Sequence, residues 1–377
     1  MRIGRCGPSL LALASFCVAL SPAAGAETTT VDGGPAPIVR ISLQQGTLTI
    51  RTWDRESIQI DAEPGVLTTE HKPLRVGPSS APLLIQSARV QWGDSEIVMP
   101  AESFLVSSIT PGSHDLIKVA PAPGRHVQGN VSVTVPSDTA VVAVTVGRGS
   151  VTLRDYRGGT FIIHLQSGQV QLQSVGGDGF VQTLQGTVLA NDSNFNRLRV
   201  RTAIGNQIFQ HCRAKQIEAW SVESSVVYDA GTFEPGLARF ESTEGNVAIG
   251  VTAGTQLVGR AGGGKVYTLF DHATQVDGRG AEANANYSGG GPLVNAFSAS
   301  GGVFLYDGGL ALRRKLPREW KQVLLALRND PSAATPTPGP RRDAHPDGQA
   351  TAQPFVETRP LRRPHSVVGP YGGTVRP

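Results

Sequence analysis

The chain of 377 residues has three cysteines, and two of them, Cys6 and Cys17, fall in its leading segment. Cys212 alone is left for the rest of the chain, so no intramolecular disulfide can form there and a disulfide scaffold is excluded. Its expected place is a small buried position in a strand, the alternative being a reactive or intermolecular thiol. No neighbouring histidine and cysteine pattern has metal-site spacing. His71, His114 and His126 are irregularly spaced and read as separate surface histidines rather than as a metal site. Long apolar runs are missing after Leu20, which leaves no candidate for a membrane-spanning helix. An excess of either charge is missing from the body as well. Outside the leading segment and the last 47 residues there are 26 basic and 27 acidic residues, so the pI of about 9.1 comes from the chain's tail. A basic nucleic-acid-binding body is therefore not expected.

The leading segment is itself informative. Arg2 and Arg5 are followed by the apolar stretch Leu10 to Leu20 and the small residues Ala24-Gly25-Ala26. This is the pattern of an export signal over residues 1–26. Phe16 before Cys17 is too bulky for a lipoprotein anchor, so a soluble mature chain beginning near Glu27 is expected, in the periplasm or at the cell surface. Residues 27–37 read as a flexible lead.

One short phrase then recurs. It appears as Gly149-Ser-Val-Thr-Leu, Gly168-Gln-Val-Gln-Leu, Gly186-Thr-Val-Leu-Ala, Gly205-Asn-Gln-Ile-Phe, Ser224-Ser-Val-Val-Tyr, Gly245-Asn-Val-Ala-Ile, Gly264-Lys-Val-Tyr-Thr and Gly301-Gly-Val-Phe-Leu. Successive starts lie 19, 18, 19, 19, 21, 19 and 37 residues apart, the last being close to two periods. A second alternating stretch recurs within each period, as in Phe161–Leu165, Leu198–Thr202, Ile217–Ser221 and Ala238–Ser242. Two strands and two turns fill the period and leave no room for a helix. Strands from successive repeats must then pair side by side. An antiparallel sandwich shows similar strand spacing but does not require one phrase in constant register. The expected fold is all-β: a single-chain right-handed β-solenoid of about nine rungs over residues 131–309. Glycine at each corner supplies a backbone conformation that other residues resist.

Residues 38–130 precede the repeats. Val39 to Asp61 reads as three alternating strands, a first rung or cap. The proline-broken stretch that follows, from Glu63 to Asn130, reads as edge strands and loops. The phrase Gly46-x-Leu-x-Ile-x-x-Trp53-Asp54, the element Val133-Thr-Val-Pro136 and the Gly-x-Val-x-Leu rungs resemble the putative-adhesin family of exported β-solenoids. That resemblance implies a fold and no catalytic residues. The segment 63–130 is longer than the family pattern.

After the repeats, Leu316, Trp320, Val323, Leu324 and Leu327 make one apolar stripe behind Pro317. A helix over 310–330 covering the open end of the solenoid is expected. Residues 331–377, with ten prolines, read as a disordered Pro/Arg-rich tail.

Two function classes survive. The first is a non-catalytic binding or adhesion-like module of the cell envelope. Its partner would be an envelope polysaccharide or another envelope protein, with no cofactor, metal or catalytic residue expected. The second is a polysaccharide-active β-helix enzyme, but short loops leave no deep cleft, and no pair of carboxylates is placed together by spacing. A self-assembling envelope scaffold is a further alternative. Alignment of the rungs puts Phe161, Leu198, Ile217 and Ala238 inward. It sets Ile162, Arg199, Glu218 and Arg239 in one outward column. His164, Gln182, Arg201, Trp220, Glu241, Arg260 and Phe297 make the next, with Arg279 at a weak rung. Within that column Arg201, Trp220, Glu241 and Arg260 are the candidate binding residues for an anionic glycan.

Overall fold

The computed structural model describes residues 26–308 apart from 77–87, 93–94, 100–110, 128, 253, 269, 271–273, 277–280 and 288–289. The chain divides into two compact units, Met1–Pro336 and Thr337–Pro377, and every described residue belongs to the first. The expected export signal, the helix over 310–330 and the tail over 331–377 lie outside the described residues.

Among the described residues the fold is all-β, and its strands run mainly parallel. The first part holds β1 (Glu27–Asp32), β2 (Ile38–Trp53), β3 (Ser57–Ala62), β4 (Leu67–Val76), the hairpin β5 (Ala88–Trp92) and β6 (Ser95–Met99), β7 (Gly112–Pro121) and β8 (Asn130–Pro136). Three long strands follow, β9 (Val141–Arg154), β10 (Thr160–Gln173) and β11 (Gly176–Asn191). The later part breaks into shorter pieces: β12 (Asn194–Ile204), β13 (Gln207–Gln210), β14 (Arg213–Ser221), β15 (Val226–Phe233), β16 (Ala238–Ser242), β17 (Val247–Val251), β18 (Thr255–Ala261), β19 (Val266–Thr268), β20 (Thr274–Val276), β21 (Glu282–Tyr287), β22 (Leu293–Ser298) and β23 (Val303–Asp307). Residues 27–37, expected as a flexible lead, instead begin with β1, which pairs antiparallel with β3 from Glu27 opposite Ala62 to Asp32 opposite Ser57.

The pairing is parallel and in register through the middle of the chain. Val170 lies between Val151 and Val188, and Ile163 between Val144 and Val181. Val151, Val170, Val188, Val226, Val247 and Val266 are all fully buried in one column, as the repeated phrase requires. Gln207 takes the place of a valine between Val188 and Val226. It keeps its polar end satisfied in part by donating from Nε2 to the Thr202 hydroxyl and to the Trp220 carbonyl. A third, shorter ladder was not foreseen. It joins Phe195 to Ala214 and Ala214 to Phe233, all buried. Only two or three residues per level take part, too few for alternation to be visible in the sequence.

The two corners of each level use different residues. At one, glycines stack on one another. Gly168 has φ of 135°, and a Cβ added there would run into the carbonyl oxygen of Gly149. At the other, non-glycine residues take the left-handed conformation: Asp155, Ser174, Asp192, His211 and Ala230, with φ between 50 and 55°. Each of the first four passes its N–H to the carbonyl of the residue just before the equivalent corner one level on, such as Asp155 to Gln173 and His211 to Asp229. Polar residues with short side chains tolerate this conformation best.

Both ends of the stack depart from chain order. β2 does not lie outermost. It sits between β9 on one side and β7 with β8 on the other. The spacing of 37 residues between Gly264 and Gly301 does not hide a missing rung. The last pair, β22 and β23, inserts between β16–β17 and β18–β19: Phe240 pairs with Ala296, and Ala296 with Gly259. β20 and β21 turn back antiparallel instead, β21 running along the outer edge of β18.

Candidate functional site

The outward face of the ladder β12–β14–β16–β22–β18 carries the candidate binding residues. Leu198, Ile217 and Ala238 point inward and are buried, and Phe161 joins them opposite Gly179. Their neighbours along each strand therefore point out. The register places Arg201 beside Trp220 and Trp220 beside Glu241, as the rung alignment expects. It does not place Arg260 next to Glu241. Phe297 of the inserted β22 stands between them, opposite Glu241 on one side and Arg260 on the other. The expected position of Arg279 lies outside the described residues.

Charges on this face are arranged in pairs. Arg199 donates to Glu218 at 2.8 Å across one level, and Arg197 to Asp178 at 2.5 Å. Glu241 accepts from Arg239 of its own strand at 2.5 Å, and Arg260 pairs with Glu282 of β21 at 3.1 Å. The pairs with an exposed arginine, Arg239–Glu241 and Arg260–Glu282, are worth at most about 1 kcal/mol each, so they order the surface more than they stabilise the fold. Exposed apolar residues lie among them: Leu237, Leu293 and Phe297, each about two-fifths to one-half accessible. Trp220 is half-buried. Leu237 and Leu293 escaped the sequence reading because each precedes the first recognised position of its strand.

The same face is closed towards the N-terminal end. Ile162 and His164 were expected to be outward, and by register they are, but both are buried. Ile162 and Phe180 form a second apolar cluster with Ile38, Val76, Leu116 and Val141. Val76 belongs to β4, so the proline-broken segment folds back over this part of the sheet. The His164 ring meets Phe180 edge-on at 5.5 Å, and burial pushes its pKa down to about 4. The open part of the face thus begins at Arg199 and Arg201.

The remaining candidates are not convergent. His71 lies 3.2 Å from Asp115, His114 Nδ1 is 2.8 Å from the Ala36 carbonyl oxygen, and His126 Nδ1 is 2.7 Å from Gln44. Cys212 is buried against the Ala190 and Gln210 carbonyls, and burial pushes its thiol up to about 12, far from a reactive thiolate. Among the described residues there is no group of three or more His, Cys, Asp or Glu side chains that could hold a metal ion, and no helix is long and apolar enough to cross a membrane.

No family model matches this chain, and no curated protein matches it. Among solved structures it is similar to a putative cell adhesion protein from Clostridium sporogenes, with 10% sequence identity and a TM-score of 0.23, over 75% of this chain and 98% of that one. At that level of similarity nothing about function passes from one chain to the other.

Proposed function

We propose that this protein is an exported, non-catalytic binding module of the cell envelope. Its body is a right-handed β-solenoid of about nine rungs, and it engages an extended acidic polymer along one open face. The observation that carries the proposal is the row Arg201, Trp220, Glu241, Phe297, Arg260, held in one register on neighbouring strands. Strands repeat about every 4.8 Å, so cations and aromatic faces recur at a regular interval. A repeating chain can meet such a row at several points, each weak, with the sum deciding affinity. Trp220 offers a flat surface for a sugar ring, while Arg201 and Arg260 offer charge. Leu237 and Leu293 add apolar contact at the margin.

The test is direct. Binding of polygalacturonate, as an acidic glycan probe, is measured at low salt with a neutral glucan as control. The parent protein should bind the acidic chain, more weakly as salt rises. Trp220→Ala with Arg201→Ala should weaken that binding at least tenfold and leave the circular dichroism spectrum unchanged. Equal affinity in parent and double variant would remove this face. Release of shortened sugar chains during the assay would favour an enzyme instead.

A further inference from the structure

The second ladder, β11–β13–β15–β17–β23, breaks the alternation that governs the rest of the body. Val188, Gln207, Val226, Val247 and Val303 point inward, so the residue after each must point outward. Those residues are Leu189, Ile208, Val227, Ala248 and Phe304, one column in continuous register. All five are apolar, and none is more than 5% exposed. Beside them, Tyr306 lies over Gly250 and donates its hydroxyl to Asp229 at 3.1 Å, and it too is buried. An outward apolar column of this length is covered, and its burial arises within a single chain.

We propose that the cover is the amphipathic segment after β23. This segment would fold as a helix and lay its stripe of Leu316, Trp320, Val323, Leu324 and Leu327 along the column, on the side of the stack rather than over its end. Three observations carry the assignment. The chain leaves the described body at the column itself: Phe304 is its last member in chain order, with the exposed Tyr267 of β19 stacked on it at 4.7 Å beyond the buried part, and Gly308, four residues on, is still tied to the Val251 carbonyl. The lengths agree. Five strands at about 4.8 Å span roughly 19 Å, and a helix from Leu316 to Leu327 at about 1.5 Å per residue is roughly 17 Å long. The chemistry agrees as well, because Arg314, Lys315, Arg318, Glu319 and Lys321 flank the stripe and would face water. Docked this way, the segment holds the inserted β22–β23 pair in place.

Ala248, between Val227 and Phe304 in the column, gives the probe. The full chain carries Ala248→Cys with Cys6→Ser and Cys17→Ser, and maleimide labelling is followed under native conditions. Cys212 contributes no background because it is buried. The thiol introduced at position 248 should be protected in this chain, at a rate independent of protein concentration. Adding Trp320→Asp with Leu324→Asp should raise the labelling rate at least tenfold while the β circular dichroism signal persists. A chain ending at residue 330 should stay protected, and a peptide of residues 310–330 should restore protection to the aspartate variant. If that variant does not fold, a chain ending at residue 309 with and without the peptide gives the same reading. Fast labelling of the full chain, or protection that survives the loss of the stripe, overturns the proposal. Protection that fades on dilution assigns the column to a second copy of the chain and overturns it equally.

Discussion

The two ends of the stack solve one problem in related ways. A parallel stack leaves unpaired strand edges at both ends, and such edges invite pairing with other molecules. At the N-terminal end, β7 and β8 close over β2, β4 then runs antiparallel on β7, and β3 and β1 do the same beyond β8. At the C-terminal end, β18 and β19 close over the inserted β22 and β23, and β21 runs antiparallel on β18. In each case the parallel strand nearest the chain terminus, β2 or β23, lies one level in, beneath parallel strands from further inside the sequence. Antiparallel strands then end the parallel stack. The ends differ in weight. The N-terminal cap also folds over the outer face and buries His164, whereas the C-terminal cap leaves Phe297 and Leu293 exposed. The open outward face therefore lies at the lightly capped end.

The difference can be broken most severely at the inserted pair. Val303 is fully buried between Val247 and Val266. Val303→Asp places an unpaired charge there and should cost about 4 kcal/mol or more. Hydrogen exchange should rise first in β18 and β19, with β9 to β11 still protected. Uniform loss of protection would mean that the two ends are not separable.

Next in size are the glycine corners. Gly168 lies in the middle of the stack, where a Cβ meets the Gly149 carbonyl at a φ of 135°. Gly168→Ala should cost about 3 kcal/mol from clash and strain together. Gly65, in the N-terminal cap, has φ of 66° and nothing within 4 Å of an added Cβ. Gly65→Ala should cost no more than about 1 kcal/mol in a denaturant titration.

The buried histidine sharpens the contrast through pH. Burial keeps His164 neutral in the folded chain, with its pKa near 4 against an ordinary 6.5. Between those values the unfolded chain binds the extra proton, so stability is complete above pH 6.5 and falls as pH drops towards 4. One pKa unit is about 1.4 kcal/mol, so the loss should reach about 2 to 3 kcal/mol. His164→Phe should flatten that slope. The smallest effect belongs to the open end, where Arg199→Met should change stability by less than about 1 kcal/mol because its pair with Glu218 is partly solvated.

The repeated phrase made the valine column and the parallel register legible, because each valine holds the same place after its corner. It could not reveal the order of the last levels. Register within a strand is a local pattern, but which strand a level rests on is decided by distant chain, and Val294 fits against Ala238 as well as any consecutive repeat would. For that reason Arg201, Trp220 and Glu241 were placed correctly as neighbours while Arg260 was set beside the wrong partner. The left-handed corners at Ser174 and Ala230 also left little trace, since nothing in a serine or an alanine announces positive φ. The outward column of Leu189, Ile208 and Val227 did leave a trace, as paired apolar residues where one was expected.

The insertion of β22 is the feature on which the two-ended comparison rests, and cysteine pairs test it most directly. Arg239 and Asn295 are register partners on neighbouring strands, and Asn295 in turn faces Val258. Neighbouring strands place such residues within reach of a disulfide, and a residue two strands away is beyond it. Under mild oxidation Arg239→Cys with Asn295→Cys should cross-link almost completely, while Arg239→Cys with Val258→Cys should remain reduced. The reverse result, a bond between positions 239 and 258 and none between 239 and 295, would mean that the levels stack in chain order and that the C-terminal end is not built by insertion.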